Sequence, residues 1–191
     1  MRISIQPFAQ DRVLAGTLQG QEVFAKLVAA TRPPSDPEVC FLDFSGVDVA
    51  TTSFLRESVV AYRNHARSHW SNVYPVVANL AARVREELEN FLIDRGDALV
   101  ACDLDSHGRP SNVNVVGRLD GKQHVTLRAV VEAGEVDAPT LAASQKAADA
   151  VSPTAWNNRL AALVTKGLVM EVSSGRNKRY RPVLERLSYG T

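Results

Sequence analysis

The stretch SPTAWNNRLAALVTKGLVMEVSSGRNKRYRP, residues 152–182, predicts a helix followed by a short hairpin with a cationic tip. Ser152 is a suitable N-cap, and Pro153 suits the first helical position, where a missing N–H costs nothing. Apolar side chains then recur at i, i+4, i+7 and i+8, at Trp156, Leu160, Leu163 and Val164. Gly167 is a candidate C-terminal cap. Residues 168–172 and 178–183 can then pair as two strands.

The opposite face of this predicted helix is polar and built from small side chains. Its members are Thr154, Asn157, Asn158, Ala161 and Thr165, with Arg159 on the flank. Short, uncharged, donor-rich side chains allow a helix to approach another surface closely. A helix of this kind, followed by a basic hairpin, indicates a recognition helix and wing that contact DNA.

Charge is distributed unevenly along the chain of 191 residues, whose formal net charge is +1. Residues 1–121 hold 12 Lys and Arg against 15 Asp and Glu, whereas residues 122–191 hold 10 against 6. Five of those ten cations fall within residues 176–186. An acidic part joined to a part with a concentrated basic hairpin indicates two separate roles.

Upstream of the recognition helix, residues 125–132 predict a first helix, and Glu135 and Val136 a short extended step. Asp137 caps a second helix that runs to Ala148. The order helix, short strand, helix, turn, helix and two-stranded wing is typical of a winged helix-turn-helix.

Residues 124–183 resemble winged-helix transcription regulators through the segments GEVDAPTLA, TAWNNRLAALVTKGLV and GRNKRYRP. In that family the recognition helix enters the major groove and the wing lies on the backbone or in the minor groove. The resemblance implies that one group of side chains contacts bases or nearby phosphates, namely Thr154, Asn157, Asn158 and Arg159. It implies that a second group holds phosphates, namely Arg176, Lys178 and Arg179. Winged helices also serve as protein-interaction modules, so a protein-docking role stays open.

Residues 2–102 alternate short apolar runs with amphipathic helices, which indicates an α/β sheet with parallel strands at its centre. The predicted strands are residues 3–5, 12–18, 39–44, 73–78 and 98–102. The predicted helices are residues 21–31, 53–66 and 81–92. We expect the first two strands to form an antiparallel pair at the start of the sheet.

The most specific segment of this part is FLDFSGVDVATTSFLRESV, residues 41–59. It resembles the STAS domain of sulphate transporters and anti-sigma factor antagonists, and the similarity extends over about residues 1–102. The resemblance implies a partner loop at residues 47–54, phosphorylated by a kinase-like anti-sigma partner. Thr51, Thr52 and Ser53 replace the family's Asp-Ser-Ser run, and Ser53 matches the phosphorylated position. Thr51 differs from the family's Asp and Phe54 from its Gly. Helix N-capping alone also accounts for three consecutive hydroxyls.

The predicted domains are a STAS-like domain at residues 1–102, a connector at 103–122 and a winged helix-turn-helix domain at 123–191. The fold class is therefore α/β, with a small mixed sheet and covering helices, followed by an α+β domain. A strand at residues 112–119 of the connector either extends the sheet or forms a hairpin between the domains.

Signals for catalysis are lacking. The sequence has no nucleotide-binding glycine loop, no paired metal-ligand motif and no catalytic carboxylate pair, so we expect neither an enzyme nor a cofactor. His65 and His69 have the i, i+4 spacing of a metal pair but no third ligand, and a solvated helix end is the commoner arrangement. Cys40 and Cys102 lie in apolar runs and are expected to be reduced and buried, which favours the cytoplasm. No apolar run is long enough for a membrane span.

The leading hypothesis is a two-domain bacterial regulator, in which a STAS-like sensing or partner-switching domain is coupled to a winged-helix domain that binds double-stranded DNA. A homodimer would match a palindromic operator. The alternative is an adaptor without a DNA site, whose two domains both bind proteins such as a kinase-like ATPase.

Overall fold

The computed structural model describes residues 1–8, 12–144, 151–174 and 177–189. Its strands are β1 (Arg2–Ser4), β2 (Val13–Leu14), β3 (Glu38–Asp43), β4 (Val49–Ala50), β5 (Val73–Ala78), β6 (Ala98–Leu104), β7 (Pro110–Gly117), β8 (Val169–Ser174) and β9 (Asn177–Pro182). Its α-helices are α1 (Thr17–Ala30), α2 (Thr52–Leu55), α3 (Ala61–His69), α4 (Ala82–Asp94), α5 (Gly121–Ala133), α6 (Ala138–Ala143) and α7 (Pro153–Lys166). A π-helical turn (Arg56–Val60) joins α2 to α3, so residues 52–69 form one continuous helical run.

The central sheet has the strand order β1-β3-β5-β6-β7, with β7 antiparallel to β6 and the other neighbours parallel. The predicted α/β class and its parallel centre are therefore confirmed. Every residue of β5 is buried. A continuous apolar strand of this kind is expected where both faces of a sheet are covered.

The two faces of the sheet contribute to two separate apolar cores, because successive side chains of a strand point to opposite sides. Val77 and Leu99 lie in a core with α1, α4 and the helical run of residues 52–69. Val76 and Val100 lie in a second core with α5, α6, α7 and the β8–β9 hairpin. The C-terminal segment therefore packs on the sheet face that the N-terminal helices leave uncovered.

The prediction of an antiparallel pair for residues 3–5 and 12–18 is wrong. β1 pairs in parallel with β3, whereas β2 pairs in parallel with β4 in a separate two-stranded sheet. Residues 17 and 18, predicted as strand, begin α1. Strands of two or three residues carry too little side-chain pattern to specify a partner, so long-range packing decides their pairing.

The strand predicted at residues 112–119 is β7, which extends the sheet as its fifth strand. Gly117 ends it with a positive φ of 103°. A Cβ at this position would come within 2.3 Å of the Asp97 carbonyl oxygen, so no other residue fits without a shift of the backbone. The end of β7 thus lies directly against the loop that leads into β6.

The C-terminal elements form largely as predicted. The Ser152 hydroxyl accepts a hydrogen bond from the Ala155 N–H at 3.2 Å, and Gly167 ends α7 in the left-handed conformation. Asp137 caps α6, which ends at Ala143 with Ser144 as its C-cap, and residues 145–148 of the predicted helix lie outside the described residues. The hairpin pairs β8 with β9, and Tyr180, buried in β9, also bridges Val136.

Candidate functional site

One face of α7 is buried and the opposite face is exposed. Trp156, Leu160 and Leu163 pack into the second core, and this burial orients the helix. The other side carries what we call the α7 face: Thr154, Asn157 and Asn158, all exposed, with half-buried Arg159 at its border. The structure therefore brings together the four side chains of the predicted recognition helix on one accessible surface.

The α7 face is polar but weakly charged. Within the described part of the chain, the side-chain amides of Asn157 and Asn158 have no intramolecular hydrogen-bond partner. α7 contains no Asp or Glu. The Arg159 guanidinium lies 5.4 Å from the centre of the Trp156 ring, within cation–π range, and projects from the same helix. The face thus offers amide and guanidinium groups to an external partner.

The hairpin cations are exposed, and carboxylates of this chain neutralise them in part. Lys178, with 60% of its side chain exposed, pairs with Glu171 at 2.9 Å, and this contact raises the pKa of Lys178. Arg179, 51% exposed, pairs with Glu135 at 2.9 Å. Because Lys178 and Arg179 are neighbours in β9, their side chains project to opposite faces of the hairpin. The third predicted cation, Arg176, lies outside the described residues.

The predicted partner loop lies at the start of the helical run of residues 52–69. We call residues 51–53 the hydroxyl loop. The Thr51 hydroxyl accepts hydrogen bonds from the N–H groups of Phe54 (3.4 Å) and Gly16 (3.1 Å) and lies 3.2 Å from the Ser53 hydroxyl. Thr52 donates to a carboxylate oxygen of Glu87 in α4. Every hydroxyl of the loop therefore has a partner within the protein, and Thr51 is the N-cap of α2.

A groove of about 760 Å³ lies beside the hydroxyl loop. Arg56 from the π-helical turn and Arg83 from α4 line it together with Glu86 and Glu87. A phosphate on Thr52 would meet the Glu87 carboxylate that the hydroxyl now contacts, and like charges at this distance repel. The electrostatics around Thr52 thus disfavour a doubly negative group unless Glu87 moves away.

The C-terminal end of α7 contacts α3, a contact that the sequence did not predict. The Arg67 Nε donates to the Val164 carbonyl oxygen at 3.0 Å, and the Arg63 Nη1 donates to the Lys166 carbonyl oxygen at 3.1 Å. Both acceptors belong to the last turn of α7, where the helix dipole favours cations. The Val164 carbonyl oxygen also accepts from the Gly167 N–H at 3.0 Å. We call the contact between α7 and α3 the α7 junction.

The α7 junction also contains a partly buried carboxylate, Asp97, with 21% of its side chain exposed. Asp97 forms ion pairs with Arg63, which is 3% exposed, and with Lys166 at 2.9 Å. Burial by itself would raise the pKa of Asp97, but the guanidinium and the ammonium beside it bring the pKa below its usual range. The junction is therefore a hydrogen-bonded charge network that stays ionised at neutral pH.

The sequence did not predict a role for Arg63 and Arg67, because each occupies what its pattern indicates is an ordinary solvated position of an amphipathic helix. Their i, i+4 spacing was visible, as was the lack of an acidic residue three or four positions away within α3. Two unpaired arginines on one helix face can indicate acceptors supplied by another element. The identity of those acceptors, carbonyls about 100 residues later in the chain, depends on the tertiary fold.

The histidine pair is stacked and shows no ligand geometry. The rings of His65 and His69 lie 4.3 Å apart, and Nδ1 of His69 lies 3.0 Å from the His65 carbonyl oxygen. Among the described residues, no three His, Cys, Asp or Glu side chains are grouped so that they could hold a metal ion. Cys40 and Cys102 are buried in β3 and β6 as free thiols, as predicted.

Asp43, at the carboxyl end of β3, is almost completely buried. It accepts hydrogen bonds from Arg2 Nε at 2.9 Å, Asn79 Nδ2 at 2.7 Å and the Ser45 N–H at 3.0 Å. Burial opposes its ionisation, but these donors together lower the pKa of Asp43 below the usual range. Its acceptor capacity is thus used to tie neighbouring strands and the following loop together.

None of the helices in the described ranges combines the length and the apolar composition that a bilayer span requires. No protein-family model matches this chain, and neither a curated protein nor a solved structure does. The geometry of the α7 face, the hairpin and the hydroxyl loop is therefore what supports a function.

Proposed function

We propose that the protein is a transcription regulator that binds double-stranded DNA through the α7 face and the β8–β9 hairpin, used as a winged helix-turn-helix. The observation that carries the proposal is the α7 face itself. It is exposed, has amide side chains without intramolecular partners among the described residues, and lies on a helix without acidic residues. A helix with these properties can enter a major groove, because it brings no carboxylate close to the negatively charged phosphates.

Base recognition would come from the amide and guanidinium groups of the α7 face. Asn157 and Asn158 suit the N6 and N7 atoms of adenine, and Arg159 suits the O6 and N7 atoms of guanine. Lys178 and Arg179 would exchange their carboxylate partners for phosphates, an exchange that costs little because exposed ion pairs contribute only about 0–1 kcal/mol. A homodimer would place two such faces on a palindromic site.

The N-terminal part of the molecule, in this proposal, is a STAS-like module that receives the signal. The hydroxyl loop and the groove beside it form its accessible surface, and a regulatory protein such as a kinase-like ATPase would dock there. Because Thr51 caps α2 and the Thr52 hydroxyl contacts the Glu87 carboxylate, Ser53 is the hydroxyl of the loop that a partner could phosphorylate with less damage to the helix start.

Selection from a pool of randomised duplexes, followed by titration across salt, tests the proposal. A selected site should bind far more tightly than random duplex, and log K should fall linearly with log salt. Asn157→Ala and Arg159→Ala should each cost about 1–3 kcal/mol on the selected site. Asn90→Ala, at an exposed position of α4, is the matched control and should bind normally. Failure to enrich any sequence would contradict the operator hypothesis.

An adaptor that binds only proteins is the second candidate, favoured by the pairing of the hairpin cations with Glu135 and Glu171. Such pairing lowers the positive potential that nonspecific DNA binding requires. Chemical cross-linking of the full-length protein in cells, followed by mass spectrometry, distinguishes the two candidates. Cross-links from the hairpin to another protein, with none from the hairpin to DNA, would support the adaptor.

A further inference from the structure

Each arginine of the α7 junction binds α7 on one side and the N-terminal part of the chain on the other. Arg67 donates to the carbonyl oxygens of Ser71 and Val73, both at 2.8 Å, in addition to that of Val164. Its guanidinium lies 3.8 Å from the centre of the Tyr74 ring. A planar guanidinium with this set of fixed contacts holds its acceptors in one relative arrangement, since its five N–H donors form a rigid fork.

Arg63 makes the second bridge. Its Nη1 donates to the Ala98 carbonyl oxygen at 3.1 Å, where β6 begins, and at the same distance to the Lys166 carbonyl oxygen at the end of α7. From the α7 side, the Lys166 ammonium donates to the Gly96 carbonyl oxygen at 3.1 Å. Arg63 and Lys166 thus join the end of α7 to the start of β6, while Arg67 joins it to the start of β5.

We propose that Arg63 and Arg67 are positioning residues that set the orientation of the α7 face for DNA, an inference that rests on the proposed function. Neither residue would touch DNA. Asn157 lies seven residues before Val164, about 10 Å along the helix axis, so a small tilt at the junction displaces the α7 face. Recognition of bases requires placement to a fraction of an ångström, which a loosely held helix end does not provide.

The contacts of Arg63 and Arg67 also connect the N-terminal part of the chain to the helix that carries the α7 face. Arg63 and Arg67 belong to the helical run that begins at the hydroxyl loop and contains the π-helical turn. A partner that shifts this run moves the two guanidiniums and, through them, the end of α7. π-Helical turns within α-helices often occur at functional sites.

DNA binding by Arg67→Ala, measured against salt on the selected site, tests the positioning role. We expect the affinity to fall about tenfold while the slope of log K against log salt stays unchanged, because Arg67 binds no phosphate. Arg109→Ala removes the same charge at an exposed position beyond the opposite end of β6 and should bind normally. Equal affinities of the two variants, or a lowered salt slope for Arg67→Ala, would overturn the proposal.

A distance measurement tests the orientation of α7 without DNA. Spin labels on Glu22→Cys in α1 and Ala161→Cys in α7 report how α7 lies relative to the first helical layer, since both positions are exposed. The native thiols do not compete, because Cys40 and Cys102 are buried and burial raises the pKa of Cys102 to about 12. We expect Arg67→Ala to broaden or shift the distance distribution, and an unchanged distribution would overturn the positioning role.

A third variant covers the case in which Arg67→Ala does not fold. Arg67→Lys keeps the charge and the aliphatic stem but cannot reach all three carbonyl oxygens, so a smaller broadening and a smaller decrease in affinity are expected. If the wild type binds no duplex selectively, the proposed function fails. The distance distributions then still decide whether Arg67 orients α7.

Discussion

Two groups of cations in this protein differ in their burial and in what they bind. At the α7 junction, Arg63 is 3% exposed and bound to a carboxylate and two carbonyl oxygens. On the hairpin, Arg179 is 51% exposed and bound to one carboxylate. The buried group cannot exchange partners without breaking the core, whereas the exposed group can exchange its partner at little cost.

This difference shows why counting cations in a sequence does not locate a nucleic-acid surface. Cations that stabilise the fold have their hydrogen-bond donors bound to acceptors within the protein. Cations that can bind a polyanion such as DNA keep solvent access and have weak intramolecular partners. Substitutions in the two groups test that division, in order of decreasing expected effect.

Replacing Arg63 should have the largest effect on stability. Arg63→Ala leaves Asp97 partly buried with one cation fewer and removes a donor from the last turn of α7, which we expect to cost about 3–5 kcal/mol. Arg179→Ala, which breaks an exposed pair, should cost less than about 1 kcal/mol. Urea denaturation of both variants measures the two decreases in the free energy of unfolding. Decreases of similar size would show that the α7 junction is not stabilising.

Acid should weaken the α7 junction. Because the folded pKa of Asp97 lies below its unfolded value, the unfolded state binds more protons in the window between them, and stability falls as the pH drops through it. We expect Asp97→Asn to cost about 1.5–3 kcal/mol at pH 7. The difference from the wild type should shrink as the pH falls below about 4, the ordinary pKa of Asp.

Urea titrations of wild type and Asp97→Asn at several pH values measure this difference. Asp43, whose pKa is also lowered, titrates in both proteins and therefore cancels in the comparison. A difference that stays constant down to about pH 3, below the ordinary pKa of Asp, would contradict the assignment of the acid-sensitive contribution to Asp97.

Reversing the hairpin charges should change DNA binding and leave folding intact. Lys178→Glu combined with Arg179→Glu should lower affinity for duplex at least about tenfold and reduce the salt slope by about 0.9 for each phosphate that is no longer bound. The loss of stability in urea should stay below about 2 kcal/mol, because each introduced Glu faces a carboxylate, Glu171 or Glu135, but replaces a side chain that is more than half exposed. Unaltered DNA binding would exclude the hairpin as a phosphate-binding element.

Removing the carboxylate that competes for Arg179 should have the smallest effect and the opposite sign. Glu135→Gln frees the guanidinium for phosphate, so we expect duplex affinity to rise by a factor of about two to five. Glu132→Gln, three residues earlier at the end of α5 and paired with Arg128, is a matched control that should change affinity less. A decrease with Glu135→Gln would mean that the pair preorganises Arg179.

Much of the local structure could be predicted because its causes are local. The Ser152 cap, the apolar repeat of α7 and the Gly167 stop all lie within the helix or next to it, and the structure confirms each. The buried strand β5 follows from a run of apolar residues alone. The hairpin follows from two short runs around polar residues and a glycine.

Pairings between distant segments could not be predicted in the same way. β1 and β2 are too short to specify their partners, and the antiparallel pair expected of them is absent from the described structure. For the candidate site, the residues of the α7 face were identified from helical spacing. The contacts that hold the end of α7 were not predicted, because the donors on α3 bind backbone carbonyl groups, and every residue has a carbonyl whatever its side chain.

The sequence by itself determined the approximate positions of the helices and buried strands, the caps at Asp137, Ser152 and Gly167, and the polar face of α7, since these depend on periodicity and on side chains near one another in the chain. Only the tertiary structure decided that the C-terminal helices cover the second face of the sheet and that Arg63 and Arg67 bind the end of α7. Backbone acceptors carry no sequence signal, so contacts to them become visible only when the chain is folded.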